Sequence, residues 1–232
     1  MQLQEQAATL LLNVKTGKPT EAQESALAGY EFQKLMQELN ADHQKKTFWI
    51  NIYNAYFQLL AAREQVTKPD IYKKRLVQIA GQNFSLDDIE HGILRKNRYK
   101  PALGFLPNLF ARRLLKHLAV SEIDYRIHFA LNCGAVSCPP ITFYNAEKIE
   151  SQLELASRSF LELETQVFAE KKEIHVSRLM LWYLGDFGGF WGIRRILKQK
   201  LNQETRGQRL VFKPYNWGQQ LHSFAEATAF TK

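Results

Sequence analysis

Residues 48–62 are apolar at almost every position, so apolar side chains would cover nearly the whole surface of a helix formed there. The polar exceptions, Asn51, Asn54 and Gln58, are spaced so that they share one helical face. A helix that is apolar almost all round is usually buried. The stretch is also shorter than the roughly 20 residues that a membrane span needs. We therefore expect a central buried helix from Thr47 to about Arg63, and no membrane span.

The composition indicates an ordinary soluble domain. The chain has 232 residues, of which 45% are hydrophobic and 23% charged, enough apolar material for one sizeable core. We expect a single domain over residues 1–232. Two cysteines are too few for a disulfide-built secreted scaffold, and the N-terminus does not read as a signal peptide. These features favour a cytoplasmic location, or a periplasmic or exported one if a signal peptide was removed.

The chain is basic, with a formal net charge of +8. Its cations are spread over four clusters at 73–75, 95–98, 112–116 and 194–200, a pattern typical of solvated helix faces. No arginine-rich arm or nucleic-acid-binding motif accompanies them, which argues against nucleic acid as a partner. Weak binding to an anionic surface is an alternative that the charge leaves open.

Periodicity and turn residues predict the other elements. The spacing of Thr20 and Gln23 is that of a capping box, which predicts a helix over residues 20–40. Further predicted elements are a hairpin over 76–86, a short helix opened by Ser85 and Asp88, a basic helix over 109–118, a strand over 125–131, a long helix capped by Asn145, strands at 173–176 and 210–212, and helices at 177–184 and 193–202. The expected fold is therefore α+β, predominantly helical, with a small and mainly antiparallel sheet.

Cys133 is the first candidate for chemistry. It follows the predicted strand and precedes Gly134, where a ligand can approach the backbone closely. A thiolate nucleophile needs a nearby histidine or a helix N-terminus to lower its pKa. In a strand, His128 and Cys133 would point to opposite faces, so His91 is favoured as the base. The alternative is that Cys133 is a small buried apolar residue.

Cys133 and Cys138 have two other interpretations. A disulfide would close a tight loop, and a cytoplasmic setting argues against it. A metal site would recruit His91 or His128, but structural zinc sites usually contain paired cysteine knuckles. We expect neither a metal ion nor another cofactor.

Several common enzyme signatures are missing. Asp186-Phe187-Gly188 matches one protein-kinase motif, but no glycine-rich loop or catalytic-loop sequence accompanies it. The sequence likewise contains no Walker loop, nucleophile elbow or zinc-protease helix motif.

Several blocks of residues, taken in their order along the chain, resemble the motifs of a known family. They are Phe48-Trp49-Ile50-Asn51-Ile52-Tyr53-Asn54-Ala55, Asp88-Ile89-Glu90-His91-Gly92-Ile93-Leu94-Arg95, Arg126-Ile127-His128-Phe129-Ala130-Leu131-Asn132-Cys133-Gly134-Ala135, Ser137-Cys138-Pro139-Pro140, Trp182-Tyr183 with Asp186-Phe187-Gly188, and Tyr215-Asn216-Trp217. Over about 48–217 the chain resembles the family known as domain of unknown function 547, with the helix at 20–40 packed against that region. It departs from the family at Tyr125, where proline is usual, and at Asn216, where aspartate is usual.

The resemblance implies a place for the site but no established activity. Family members occur in bacteria, plants and animals, and we expect a bacterial source. The family's polar motif positions correspond to Asn51, Asn54, Glu90, His91, Arg95, His128, Asn132, Cys133 and Cys138. Polar residues of this kind within apolar segments are expected to converge on one pocket.

The leading hypothesis is a cysteine-dependent hydrolase or acyl-transfer enzyme. Cys133 would be the nucleophile and His91 the base, oriented by Glu90 or Asn51, with Asn132 and the Gly134 amide as oxyanion donors. Arg95, His128 and Cys138 would support the site. The rival is a non-catalytic module that binds a small molecule or peptide around a structural polar core. Neither the substrate nor the oligomeric state is defined by the sequence.

Overall fold

Helices dominate the computed structural model, which describes residues 2–63 and 68–225. The α-helices are Gln2–Thr16 (α1), Glu21–Ala28 (α2), Phe32–Glu38 (α3), Asp42–Arg63 (α4), Asp70–Lys73 (α5), Arg113–Leu118 (α6), Ile149–Glu164 (α7), Leu179–Trp182 (α8) and Gly189–Leu201 (α9). A π-helix spans Asp88–Leu94, and 3-10 helices span Lys100–Ala102 and Tyr125–Phe129. The strands are Val77–Ile79 (β1), Gln82–Phe84 (β2), Gln166–Phe168 (β3), Glu173–Val176 (β4) and Arg209–Phe212 (β5).

The strands form two small sheets. β1 and β2 make the predicted hairpin, in which Val77 lies opposite Phe84. β3 pairs antiparallel with β4, and β5 joins the other edge of β4 in parallel. The predicted α+β class, with predominant helix and a mainly antiparallel sheet, is confirmed.

α4 is the buried helix at the centre of the first apolar cluster. Its Trp49 and Ile52 are fully buried, and α1 packs along it through Leu3 and Leu10. The helix begins at Asp42, and the predicted start at Thr47 was therefore too late in the sequence. α1 was not predicted from the sequence. Within residues 2–63 and 68–225, no helix combines the length and apolarity needed to cross a membrane.

A second apolar cluster lies among α7, α8, α9 and β4, with Phe160, Met180 and Ile193 at its centre. The 3-10 helix Tyr125–Phe129 contributes to both clusters, since Ile127 belongs to the first and Phe129 to the second. The single-domain organisation over residues 1–232 stays a prediction.

Some predicted helix bounds were wrong. The helix expected over 20–40 is two helices, α2 and α3, and Thr20 donates its hydroxyl to Glu24 instead of capping the backbone. The basic helix expected over 109–118 begins only at Arg113, and the long helix expected from Asn145 begins at Ile149.

The predicted strand over residues 125–131 was also wrong. Asp124 caps this segment by accepting a hydrogen bond from the Arg126 amide, and its carboxylate pairs with the Arg126 side chain. The Ala130 amide then donates to the Ile127 carbonyl, which closes a helical turn. Strand alternation therefore does not place His128 and Cys133 on opposite faces.

Candidate functional site

A pocket of about 350 Å³ gathers side chains from distant parts of the sequence. Five predicted site residues line it: Glu90, His91, His128, Cys133 and Cys138. The pocket does not gather the other predicted positions, which are Asn51, Asn54, Arg95, Asn132 and Gly134. Residues that sequence analysis did not name as site residues complete the walls, among them Asp87, Tyr72, Trp182, Tyr183, Tyr215 and Trp217.

The two asparagines of α4 hold backbone beside the pocket. Asn51 donates to the Tyr144 carbonyl at 2.9 Å and accepts from the Tyr144 amide at 3.1 Å. Asn54 donates to the Ala130 carbonyl and accepts from the Asn132 amide, both at 2.9 Å. Both side chains are fully buried, and each bonds as a strand neighbour would. They fix the segments before and after the cysteines.

Asn132 holds the turn that carries Cys133. Its side chain donates to the Pro139 carbonyl and accepts from the Gly134 amide, each at 2.8 Å. Gly134 has φ +66°, in the left-handed region that favours glycine. In this structure the two expected oxyanion donors, Asn132 and the Gly134 amide, are thus already engaged.

Cys133 and Cys138 are joined as a disulfide, with their Cα atoms 6.2 Å apart. Both residues are half-buried and reach the pocket. The Tyr215 hydroxyl lies 3.2 Å from Sγ of Cys138 and 3.5 Å from Sγ of Cys133. A nucleophilic Cys133 therefore requires reduction of this bond. In the part of the chain that the structure describes, no three His, Cys, Asp or Glu side chains are grouped to hold a metal ion.

The π-helix presents His91 to the pocket. As predicted, Ser85 and Asp88 open it reciprocally, each accepting from the other's backbone amide. Nδ1 of His91 lies 2.6 Å from Nη1 of Arg95. Because a guanidinium can only donate, Nδ1 is the acceptor and neutral His91 carries its proton on Nε2. That nitrogen lies 3.5 Å from Oδ1 of Asp87.

The ring of His91 is therefore oriented by Asp87 and Arg95, each four residues away on the same helical side. This spacing is a signal that sequence analysis missed. Glu90 turns instead to two hydroxyls, those of Tyr183 at 2.6 Å and Tyr53 at 3.3 Å. Burial raises the pKa of Glu90, but its electrostatic interaction with the His91 ring, the Tyr183 hydrogen bond and the charge of Arg95 together hold that pKa below its ordinary value.

Behind the pocket, Asp186 joins Arg95 to His128. Arg95 donates to both carboxylate oxygens, at 2.5 and 3.1 Å, and Nε2 of His128 lies 2.9 Å from Oδ2. All three side chains are buried. Burial tends to raise the pKa of Asp186, but His128 and Arg95 outweigh it and keep that pKa low, so the carboxylate is ionised.

Burial lowers the pKa of His128, more strongly than Asp186 raises it. The imidazole is therefore neutral near pH 7, and its Nε2–H donates to Asp186. Nδ1 is left with its lone pair, and no group within residues 2–63 and 68–225 donates to it. The ring stacks on Tyr183, with 3.8 Å between ring centroids.

Asp186 was predicted only as part of a kinase-like motif and a family block. The available signal was that Asp186 lies between two apolar residues, Leu184 and Phe187, which are both buried. An ionisable side chain in such a place needs a buried partner.

The wall beside the disulfide is aromatic. The ring centroid of Tyr215 lies 4.8 Å from that of Trp182 and 4.7 Å from that of Trp217. The two tryptophans are stacked, with 5.3 Å between centroids. Such a surface favours flat, apolar molecules.

The model of the family described as "Protein of unknown function, DUF547" matches residues 36–161, more than half of the chain. Neither a curated protein nor a solved structure matches the chain. The match contains the predicted motif blocks from the central helix to Pro140, whereas those at 182–188 and 215–217 lie beyond it. This chain belongs to the DUF547 family.

Proposed function

We propose that this chain is a thiol-dependent enzyme of the hydrolase or acyl-transfer type, with Cys133 as nucleophile and His128 as base. The observation that carries the proposal is the buried Asp186–His128 pair, whose histidine lines the same pocket as Cys133. A nucleophile, a neutral imidazole and a carboxylate that orients the imidazole are the groups that thiol acyl transfer uses.

The geometry favours His128 over His91 as the base. Nδ1 of His91 already accepts a hydrogen bond from Arg95, and its Nε2 carries a proton. His128 instead keeps Nδ1 unprotonated while Asp186 fixes the opposite nitrogen. We assign His91, Glu90 and Arg95 the role of holding the polar wall of the pocket in place.

The disulfide represents a resting state. Two molecules of a small thiol reduce it, which yields one small-molecule disulfide and the free thiols of Cys133 and Cys138. Both cysteines are half-buried at the pocket, which gives such a thiol a route to them.

The reaction then proceeds in two halves. The proton of the Cys133 thiol moves to Nδ1 of His128, and the sulfur bonds to the acyl carbon of the substrate. As the bond to the leaving group breaks, that group takes the proton from His128. Water, or an acceptor amine, then attacks the thioester, gives its proton to His128 and releases Cys133, which regains its proton.

Two donors lie close to the reacting sulfur. The Cys133 amide donates to Sγ of Cys138 at 3.0 Å, and the Tyr215 hydroxyl lies 3.5 Å from Sγ of Cys133. Once the disulfide is reduced, both can donate to the oxygen that becomes negative during attack. We assign them this role in place of Asn132 and the Gly134 amide.

The Cys138→Ser variant allows a direct test, because Cys133 then stays free without a reductant. With p-nitrophenyl acetate as the acyl donor, it should release p-nitrophenolate and gain one acetyl group on Cys133, measured by absorbance and peptide mass. Adding His128→Asn should slow acylation about a hundredfold, the usual scale for loss of a general base. Adding His91→Asn should change the rate only a few-fold.

His175→Asn in the same background is the matched control, because His175 pairs with Glu173 on β4 and does not line the pocket. Circular dichroism and thermal melting establish that each variant is folded. A folded His128→Asn variant that acylates as fast as Cys138→Ser alone would rule out the proposed base. Acylation that persists in a Cys133→Ser/Cys138→Ser variant would rule out the nucleophile.

The aromatic wall favours a second candidate, a non-catalytic pocket that binds a small molecule or peptide side chain with a flat apolar body. Asp87 and Glu90 have lowered pKa values and are ionised at its polar end, so a cationic group is preferred there.

Saturation-transfer NMR should therefore rank tryptamine above indole, and indole above indole-3-acetate. Trp217→Ala should weaken tryptamine binding, whereas Trp191→Ala, at an exposed site outside the pocket, should not. Equal binding of the three probes contradicts this candidate.

A further inference from the structure

Residues 99–112, here called the outer loop, expose an unusual amount of apolar surface. Phe105 is 53% exposed, Leu106 59%, Leu109 75% and Phe110 96%. Single exposed apolar residues need no explanation, but four within six positions form a patch, and such patches mark interaction sites.

The outer loop has a defined backbone. The Tyr99 amide donates to the Leu106 carbonyl at 2.9 Å, and the Gly185 amide donates to the Leu103 carbonyl at 2.8 Å. Because these bonds fix the loop, the exposed side chains are already positioned for a partner, and binding costs little ordering entropy.

Cations lie beside the patch, although two cations of the loop itself, Lys100 and Arg112, are paired with Asp87 and Asp88. Lys96, Arg98, Arg113 and Lys116 have no carboxylate partner within the ranges 2–63 and 68–225. Nζ of Lys116 donates to the Leu109 carbonyl at 3.3 Å, and Nη1 of Arg98 donates to the Phe105 carbonyl at 3.3 Å. These positive charges therefore lie beside the apolar side chains.

This combination fits one partner chemistry best. The cores of protein–protein interfaces are depleted of lysine, aspartate and glutamate, although arginine is enriched there. Segments that lie in the interface of an anionic bilayer combine Phe and Leu with Lys and Arg, whose stems lie along the apolar surface while their charges reach the phosphates.

We propose that the outer loop docks this protein on an anionic lipid surface, with Leu109 and Phe110 inserted among the headgroups. Lys116, Arg113 and Arg98 contact the lipid phosphates. The inference is independent of the chemistry proposed for the pocket. Lys100 and Leu103 of the same loop line that pocket, so docking brings its wall close to the bilayer.

Vesicle flotation with the full chain tests the proposal. Vesicles of phosphatidylcholine alone are compared with vesicles of equal parts phosphatidylcholine and phosphatidylglycerol. We expect binding to the anionic vesicles only, and weaker binding as salt is added, because the Debye length shortens. Leu109→Ser with Phe110→Ser should lower the partition coefficient at least about tenfold, as expected for two partly inserted side chains.

Matched variants distinguish binding through the outer loop from non-specific binding of the protein to vesicles. Leu163→Ser with Val167→Ser removes two exposed apolar residues elsewhere, and should leave binding unchanged. Arg113→Gln should weaken binding about fivefold, the scale for one cation at an anionic membrane. Arg206→Gln, at an exposed position before β5, should have a smaller effect.

Three results would overturn the proposal. Equal binding to neutral and anionic vesicles would remove the role of the cations. Unchanged binding after substitution of Leu109 and Phe110 would remove the role of the patch. Sedimentation that shows a dimer lost in that same variant, without vesicle binding by the parent, would assign the patch to self-association instead.

Discussion

The carboxylate of Asp186 lies 2.9 Å from Nε2 of His128, although 58 residues separate the two in the sequence. The same carboxylate accepts two hydrogen bonds from Arg95. A neutral imidazole and a guanidinium thus share one buried anion, and that anion sets which nitrogen of His128 carries the proton.

Replacing Asp186 with Asn should destabilise the fold strongly. The substitution leaves the Arg95 charge buried without a counter-charge, which typically costs about 3–5 kcal/mol in the free energy of unfolding. Urea denaturation followed by circular dichroism measures the change. Asp70→Asn, which breaks an exposed pair with Lys74, should cost less than about 0.5 kcal/mol. Similar small losses in both variants would contradict a buried ion pair at Asp186.

Asp124 should make stability fall in acid. Burial tends to raise its pKa, but Arg126 and Lys46 outweigh burial and hold that pKa at about 2. A depressed folded-state pKa stabilises the protein above the unfolded value and loses that contribution as pH falls towards the folded value. The contribution at neutral pH is roughly 2 kcal/mol.

Asp124→Asn should therefore be less stable than the parent near neutral pH. The difference in unfolding free energy should shrink between about pH 4 and pH 2, as the parent carboxylate becomes protonated. Urea titrations across this range measure it. A difference that stays constant with pH would show that Asp124 does not titrate as its partners imply.

Removing the Asn54 side chain should loosen the segment that carries the cysteines. Asn54→Ala leaves the Ala130 carbonyl and the Asn132 amide buried without partners, at about 1–3 kcal/mol each. Asn145→Ala removes an exposed bond to the Glu147 amide and should cost at most about 1 kcal/mol. Thermal or urea unfolding measures the loss of stability in both variants. Equal losses would mean that Asn54 does not hold the backbone at Ala130 and Asn132.

Gly134→Ala should cost more than the same change at Gly81. Both residues have positive φ, so each alanine meets a backbone cost of about 1–2 kcal/mol. At Gly134 the new Cβ would also lie 2.4 Å from Cε1 of Phe57, whereas at Gly81 nothing lies within 4 Å. We expect about 1–3 kcal/mol more at Gly134 from this overlap, measured by urea unfolding. A smaller loss at Gly134 would contradict the tight turn.

Strong local patterns predicted the main elements of the fold. α4 could be predicted because apolar residues cover nearly its whole surface, and the β1–β2 hairpin because alternation meets a turn at Ala80 and Gly81. The structure of segment 125–131 could not be predicted, because its alternation of apolar and polar residues is that of a strand with one buried face. In fact Ile127, His128 and Phe129 are all buried in succession, and the Asp124 cap makes the turn helical.

The candidate site was predicted in part. Motif blocks identified Glu90, His91, His128 and the two cysteines, all of which line one pocket. The partners that set their protonation are contributed by α8 and the residues after it, such as Tyr183 and Asp186. Only the three-dimensional packing brings these residues next to the histidines, because the local sequence indicates at most that Asp186 has apolar neighbours and not which side chain it meets.

Gly104 and Gly185 allow the outer loop to pack closely against the buried carboxylate of Asp186. A Cβ on Gly104 would lie 2.3 Å from Oδ1 of Asp186, and one on Gly185 would lie 2.5 Å from the carbonyl carbon of Gly104. Here the main chain of the outer loop touches the carboxylate that holds His128. A side chain added at either glycine would therefore displace the carboxylate that orients His128, so the orientation of this imidazole depends on two positions that carry no side chain.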